Sequence, residues 1–188
     1  ALGKGIQVVR EEFTSDKSVD FSAVLTSVKS SGAEAVFFGG MDPQAGPMLR
    51  QMTQLGMAGV KYLGGDGICT NKIVELAGSA AVVANVVCAE GGTSIEKMPG
   101  GKAWKERYDK RFPGQFQVYS PYAYDAAMVL VEAMALAGSA KPKDYLPQLQ
   151  AMQHKGVTGT IAFESNGELR SPDMTLYSFK DGKKTPMN

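Results

Sequence analysis

The chain has 188 residues, 44% of them hydrophobic and 21% charged, and a formal net charge of +1. That is the balance of a folded globular chain, and a near-neutral charge without a dense Lys/Arg stripe argues against a nucleic-acid partner. No apolar run approaches the ~18 residues of a membrane span; the longest, Ala126 to Ala137, is broken by Glu132 and reads as a buried helix.

The first half alternates strand and helix patterns. Ile6 to Phe13 opens with β-branched residues and predicts a strand. Phe21, Val24, Leu25 and Val28 lie at helical spacing, with Asp20 placed to cap the helix and Gly32 to close it. Ala35-Val36-Phe37-Phe38 is a continuous apolar run ending in Gly39-Gly40, the pattern of a parallel strand covered on both faces. Pro43 marks the next helix start, Met48, Leu49, Met52 and Leu55 give it an apolar face, and Gly56 ends it. Lys61-Tyr62-Leu63 runs into Gly64-Gly65-Asp66-Gly67, Asn71 caps a short helix over 73–76, and Val86-Val87-Cys88-Ala89 is a further strand. Four strands separated by three helices predict an α/β, doubly wound parallel sheet.

The rhythm then changes. A polar helix over 99–112 carries Trp104 and Tyr108 on one side, and an apolar helix spans 121–137. An amphipathic helix over 143–153 turns Tyr145, Leu146, Leu149 and Met152 inward. Thr160 to Phe163 and Met174 to Phe179 read as strands, with turns at Ser165-Asn166-Gly167 and Asp181-Gly182. The basic cluster Lys180 to Lys184 reads as a solvated turn.

Ligands of an open parallel sheet bind at the carboxyl ends of its strands. Three such ends stand out: Gly39-Gly40-Met41-Asp42, Gly64-Gly65-Asp66-Gly67, and Cys88-Ala89-Glu90-Gly91-Gly92. Asp66, between glycines, suits pairing with a ligand ammonium; its other reading is a turn aspartate bonded to its own loop. Met41 serves either an apolar ligand pocket or the core. Asp42 reads as an N-cap, and Glu90 either lines the same crevice or faces solvent. Catalytic patterns are absent from the sequence. The single histidine, His154, sits at a helix end beside Lys155, no G-x-S-x-G elbow occurs, and the glycines of 64–67 lack a phosphate-loop lysine. Cys69 and Cys88 follow no zinc spacing and stand as two buried thiols or one disulfide.

Ala35 to Gly40 and Gly64 to Gly67, together with Phe13 to Lys17, Asp20-Phe21-Ser22, Gly46 to Gln51, Val118 to Ala126 and Thr158 to Phe163, resemble the substrate-binding proteins of branched-chain amino-acid ABC transporters. The resemblance runs along essentially the whole chain. It implies a two-lobed Venus-flytrap fold of the type I periplasmic-binding kind, incomplete here. Residues 1–92 would be the second lobe without its first strand and helix, 93–171 a segment returning to the first lobe, and 172–188 a strand crossing back.

The resemblance implies an amino-acid ligand held in a cleft between lobes, with Asp66 on its ammonium and Gly40, Met41 and Gly65 shaping the site. Gln117 and Tyr119 lie where an aromatic closes the pocket. Met41 and Gln117 depart from the aromatic residues common at their positions, so the side-chain preference stays open. It further implies a periplasmic protein with no cofactor, no enzymatic activity and no nucleic-acid partner. Its partners would be a membrane permease and a missing amino-terminal portion or a swapped copy. An oxidising compartment favours a Cys69–Cys88 bridge. The alternative on the same fold is the ligand-sensing domain of a regulator or receptor.

Overall fold

The computed structural model describes residues 2–187. The chain forms two compact units, Ala1–Glu90 with Thr175–Asn188 and Gly91–Met174. Unit 1 is built on a five-stranded sheet of order β1-β2-β3-β6-β7. Its strands are β1 (Ala35–Phe38), β2 (Lys61–Gly64), β3 (Val86–Gly91), β6 (Met174–Lys180) and β7 (Lys183–Pro186), and its helices are α1 (Ser22–Ser30), α2 (Asp42–Gln54) and α3 (Lys72–Ala77). The β1-α2-β2-α3-β3 succession makes β1, β2 and β3 parallel, with Phe38 beside Gly64 and Gly64 beside Cys88. The chain therefore leaves all three strands at one edge, which gathers the glycine-bearing ends.

The predicted α1, α2, β2 and β3 form where their apolar periodicity places them. Asp20 stands one residue before the N-cap, Phe21, rather than at it, and accepts the Ser22 amide at 2.9 Å; hydrogen bonds from the Ser22 hydroxyl first and its amide second hold the Asp20 carboxyl below the usual range. Met48, Leu49 and Met52 of α2 meet Phe21, Leu25, Tyr62, Ile73 and Val86 in one buried cluster. Two expectations about strands change. Residues 6–13 join no strand, and Ile6, Val8 and Phe13 are exposed; a β-branched run becomes a strand only with a ladder partner, and none pairs with it among the described residues. In β1 the side chains alternate, with Val36 and Phe38 toward the core and Phe37 72% exposed, so this strand is covered on one face.

Asn71 precedes α3, but its side chain makes no capping bond; its own backbone is already helical, the wrong geometry for a cap. At the far end of the sheet, Asp181 and Gly182 both take positive φ, the turn that joins β6 to antiparallel β7.

Tyr62 is the largest fully buried side chain and donates its hydroxyl to the Met48 sulfur at 3.3 Å. Burial pushes its phenol well above the ordinary range, because the phenolate would lose its hydration. The unfolded chain ionises this phenol near pH ~10 while the folded chain keeps the proton, so folding stability falls as pH rises above about 10. Urea midpoints measured between neutral pH and pH 11 should drop more for the wild type than for Tyr62→Phe; parallel curves would show that burial does not hold the proton.

Unit 2 contains α4 (Gly101–Arg111), α5 (Ser120–Ala137), α6 (Pro142–Ala151) and an antiparallel pair, β4 (Gln153–Lys155) with β5 (Thr160–Ala162). Trp104 and Tyr108 share one face of α4 and stack at 4.8 Å, with Tyr124 of α5 5.6 Å from Trp104. On α5, Pro121, Asp125, Val129 and Ala133 recur every four residues and are the buried stripe. The inward face expected for α6 is shallower than its pattern implied: Tyr145, Leu149 and Met152 are half-buried and Leu146 is 48% exposed. Glu164 to Gly167 closes a turn, with Asn166 accepting the Glu168 amide at 3.0 Å. Among the described residues no single helix is long and apolar enough to cross a membrane.

Candidate functional site

The ends of β1 and β2 lock together. A Cβ placed on Gly67 would lie 2.6 Å from the Gly40 carbonyl oxygen and 2.6 Å from the Met41 sulfur. Only glycine permits that approach. Thr70 adds a second tie, donating its hydroxyl to Asp42 at 2.6 Å. Asp42 is thus the first residue of α2 rather than its cap, favourable to the helix dipole and engaged with the neighbouring loop. Gly40, Met41, Gly65 and Asp66 come together on this edge. Met41 is 59% exposed, which removes the core-filling reading.

Asp66 opens a single 3-10 turn, Asp66–Ile68, closed by Ile68 N–H to Gly65 O at 3.3 Å and Cys69 N–H to Asp66 O at 3.0 Å. Its side chain is exposed at the strand edge. Directly after the turn, Cys69 is joined to Cys88 by a disulfide with Cα atoms 5.4 Å apart, and both residues are buried.

Glu90 neither faces solvent nor lines an open crevice. It is buried and pairs with the Lys184 ammonium at 2.7 Å. Lys184 also donates to the Cys69 carbonyl at 3.0 Å and lies 4.5 Å from the Tyr177 ring centre. The basic cluster is therefore not a wholly solvated turn, since β7 carries Lys184 inward over β6. A charge this enclosed needs a carboxylate, and Glu90 supplies it.

On unit 2, Gln117 and Tyr119 lead into α5. The Gln117 amide donates to the Ser120 hydroxyl at 3.0 Å, the Gln117 carbonyl accepts the Ser120 amide at 3.0 Å, and both side chains are exposed. His154 belongs to β4, not to a helix end, and its Nδ1 lies 2.5 Å from Glu132 of α5. Sequence reasoning assigned no role to Asp125, whose carboxylate takes the Val157 amide at 2.9 Å, the Thr158 amide at 2.8 Å and the Thr158 hydroxyl at 2.6 Å. Its signal was present: a single acid in register with a stripe of Pro121, Val129 and Ala133 at four-residue spacing. An open pocket of about 450 Å³ beside Trp104, Tyr108 and Tyr124 is lined by none of the candidate residues. Among the described residues no three His, Cys, Asp or Glu side chains gather as a metal site.

Parallel strands that deliver glycine loops and a carboxylate to one edge, joined to a second α/β unit, are half of a type I periplasmic-binding fold. The chain belongs to the periplasmic binding protein family, whose model matches residues 3–184. It is 32% identical over 167 residues to a Leu/Ile/Val-binding protein homolog of Brucella abortus, covering 87% of this chain and 43% of that protein. A leucine binding protein from Thermotoga maritima superposes with a TM-score of 0.84 at 25% identity, over 100% of this chain and 53% of that one. A branched-chain amino acid transporter substrate binding protein from Streptococcus pneumoniae, solved with isoleucine, gives a TM-score of 0.71 at 21% identity, over 91% of this chain and 48% of that one. The chain spans about half the length of the relatives it matches.

Proposed function

We propose that the protein is an extracytoplasmic solute-binding protein that captures a branched-chain or related amino acid and delivers it to an ABC transporter. The observation that carries this is the edge of unit 1, where the exposed Asp66 carboxylate and the exposed Met41 stand on interlocked loops. An amino acid is a zwitterion, so a site that removes it from water must offer an acid to its ammonium and apolar surface to its side chain. Asp66 takes the first role and Met41 the second, with Gly40 and Gly65 shaping the loops. Unit 1 corresponds to the second lobe and unit 2 to the part of the chain that returns to the first. The names of the relatives support the ligand class, and the Cys69–Cys88 disulfide supports a location outside the cytoplasm. Binding and release need no covalent step, so neither a nucleophile nor a general base is required.

Calorimetric titration of the full-length protein against a panel of amino acids and ammonium-free carboxylates tests the reading. Tight binding of an aliphatic L-amino acid is expected, weakened at least about tenfold (~1.4 kcal/mol) by Asp66→Ala. Preference for a ligand without an ammonium, or an unchanged affinity in the variant, would remove Asp66 from this role.

A further inference from the structure

We propose that Lys184 is a positioning residue for Asp66: held by buried Glu90, its ammonium pins the Cys69 carbonyl and so fixes the turn that presents the carboxylate. This rests on the ligand role proposed above for Asp66. Residues 66–69 form one closed unit, because the Cys69 amide donates back to the Asp66 carbonyl at 3.0 Å. Whatever anchors Cys69 therefore anchors Asp66. Two anchors converge on Cys69, the disulfide to Cys88 on its side chain and the 3.0 Å bond from Lys184 on its carbonyl.

The second anchor comes from far along the chain. Lys184 lies on β7, two strands from β3, and its side chain reaches Glu90 on β3 at 2.7 Å. Side-chain exposures of 17% for Lys184 and 6% for Glu90 put this pair largely out of water. It is thus screened far less than a surface pair. The Tyr177 ring, 4.5 Å from the ammonium, walls the lysine on the β6 side. The ammonium is oriented by Glu90 and Tyr177, and one of its protons is directed to Cys69.

The consequence is a population effect. A ligand that binds only the closed turn has an apparent affinity reduced by the fraction of molecules in which the turn is closed. Releasing the Cys69 carbonyl leaves the disulfide as the remaining anchor, and that anchor holds a side chain rather than the peptide plane next to the turn. The terminal hairpin would thereby set the affinity of a site to which it contributes no ligand contact.

The test uses the full-length protein with L-leucine as probe. Glu90→Gln/Lys184→Met removes both charges together and leaves no buried ion alone. At a temperature well below its unfolding midpoint, this variant is expected to bind leucine at least about tenfold more weakly. In the ligand-free protein its Cys69 amide should exchange at least about tenfold faster. Lys184→Arg, which keeps a cationic donor opposite Glu90, should bind more tightly than the double variant. A purely structural pair would lower the unfolding midpoint while leaving leucine affinity and Cys69 exchange unchanged; either unchanged value overturns the positioning role. If the wild-type protein binds neither leucine nor any other amino acid, the functional reading of Asp66 fails, and this inference with it. Wild-type binding that the double variant matches defeats this inference alone.

Discussion

Replacing Asp125 by alanine is expected to destabilise unit 2 by about 3–5 kcal/mol. The carboxylate is 1% exposed and accepts three hydrogen bonds from two consecutive residues, Val157 and Thr158. It thereby staples α5 to the loop between β4 and β5. A Cβ on the adjoining Gly156 would lie 2.6 Å from the carboxyl carbon of Asp125, so the loop is seated directly on this group. Alanine removes three charge-assisted bonds and strands two amides where water does not readily replace the acceptor. Each charge-assisted bond contributes about 1.5–3 kcal/mol, and each stranded buried donor costs about 1–3 kcal/mol. Loop rearrangement recovers part of that sum. Asp125→Asn keeps the shape but turns an NH2 group toward a donor, and should cost about 2 kcal/mol. Urea unfolding followed by circular dichroism provides the measurement. A loss below about 1 kcal/mol for the alanine variant would mean that the loop finds other acceptors.

The same residue marks where sequence reading reaches its limit. Helix α5 was legible because its apolar composition, Pro121 at the start and Gly138 after the end are local signals. The partners of Asp125 are more than thirty residues away, and nothing in a run of eighteen residues points to them. Glu90 and Lys184 lie farther apart still, 94 residues, so the acid was assigned to a crevice or to solvent and the lysine to a turn, each from its neighbours alone. Residues 6–13 fail in the opposite direction. Their β-branched composition is real, but a strand is defined by its ladder, and ladders are long-range.

The candidate site was more legible because its signals are local. Glycines at the ends of apolar runs placed Gly40, Gly65 and Asp66 at strand ends, and parallel pairing carried those ends to one edge. The reason for one glycine was not legible. Gly67 answers to Gly40 and Met41 of the neighbouring loop, and that packing needs no ligand to explain it.

Breaking the Cys69–Cys88 disulfide should lower the stability of unit 1 by about 3 kcal/mol, through the loop entropy that the bridge withholds from the unfolded chain. The bridge spans 19 residues, which include all of α3 and the edge of the core at Ile73, Ala77, Val83 and Val86. Both cysteines are 1% exposed, so a reductant reaches the sulfurs only after the unit opens. Two results are therefore expected. Protein reduced in urea and refolded under reductant should unfold at a lower urea midpoint than the oxidised protein. Native protein should react slowly with a thiol reductant, at a rate that rises steeply with urea well below the unfolding transition. Equal midpoints would place the loop entropy elsewhere, in a reduced unfolded state that is already compact. Fast reduction without urea would mean that the turn after Asp66 opens by itself. The anchoring of Asp66 through Cys69 would then fail along with the prediction, because a turn that opens freely cannot hold a carboxylate in place for a ligand.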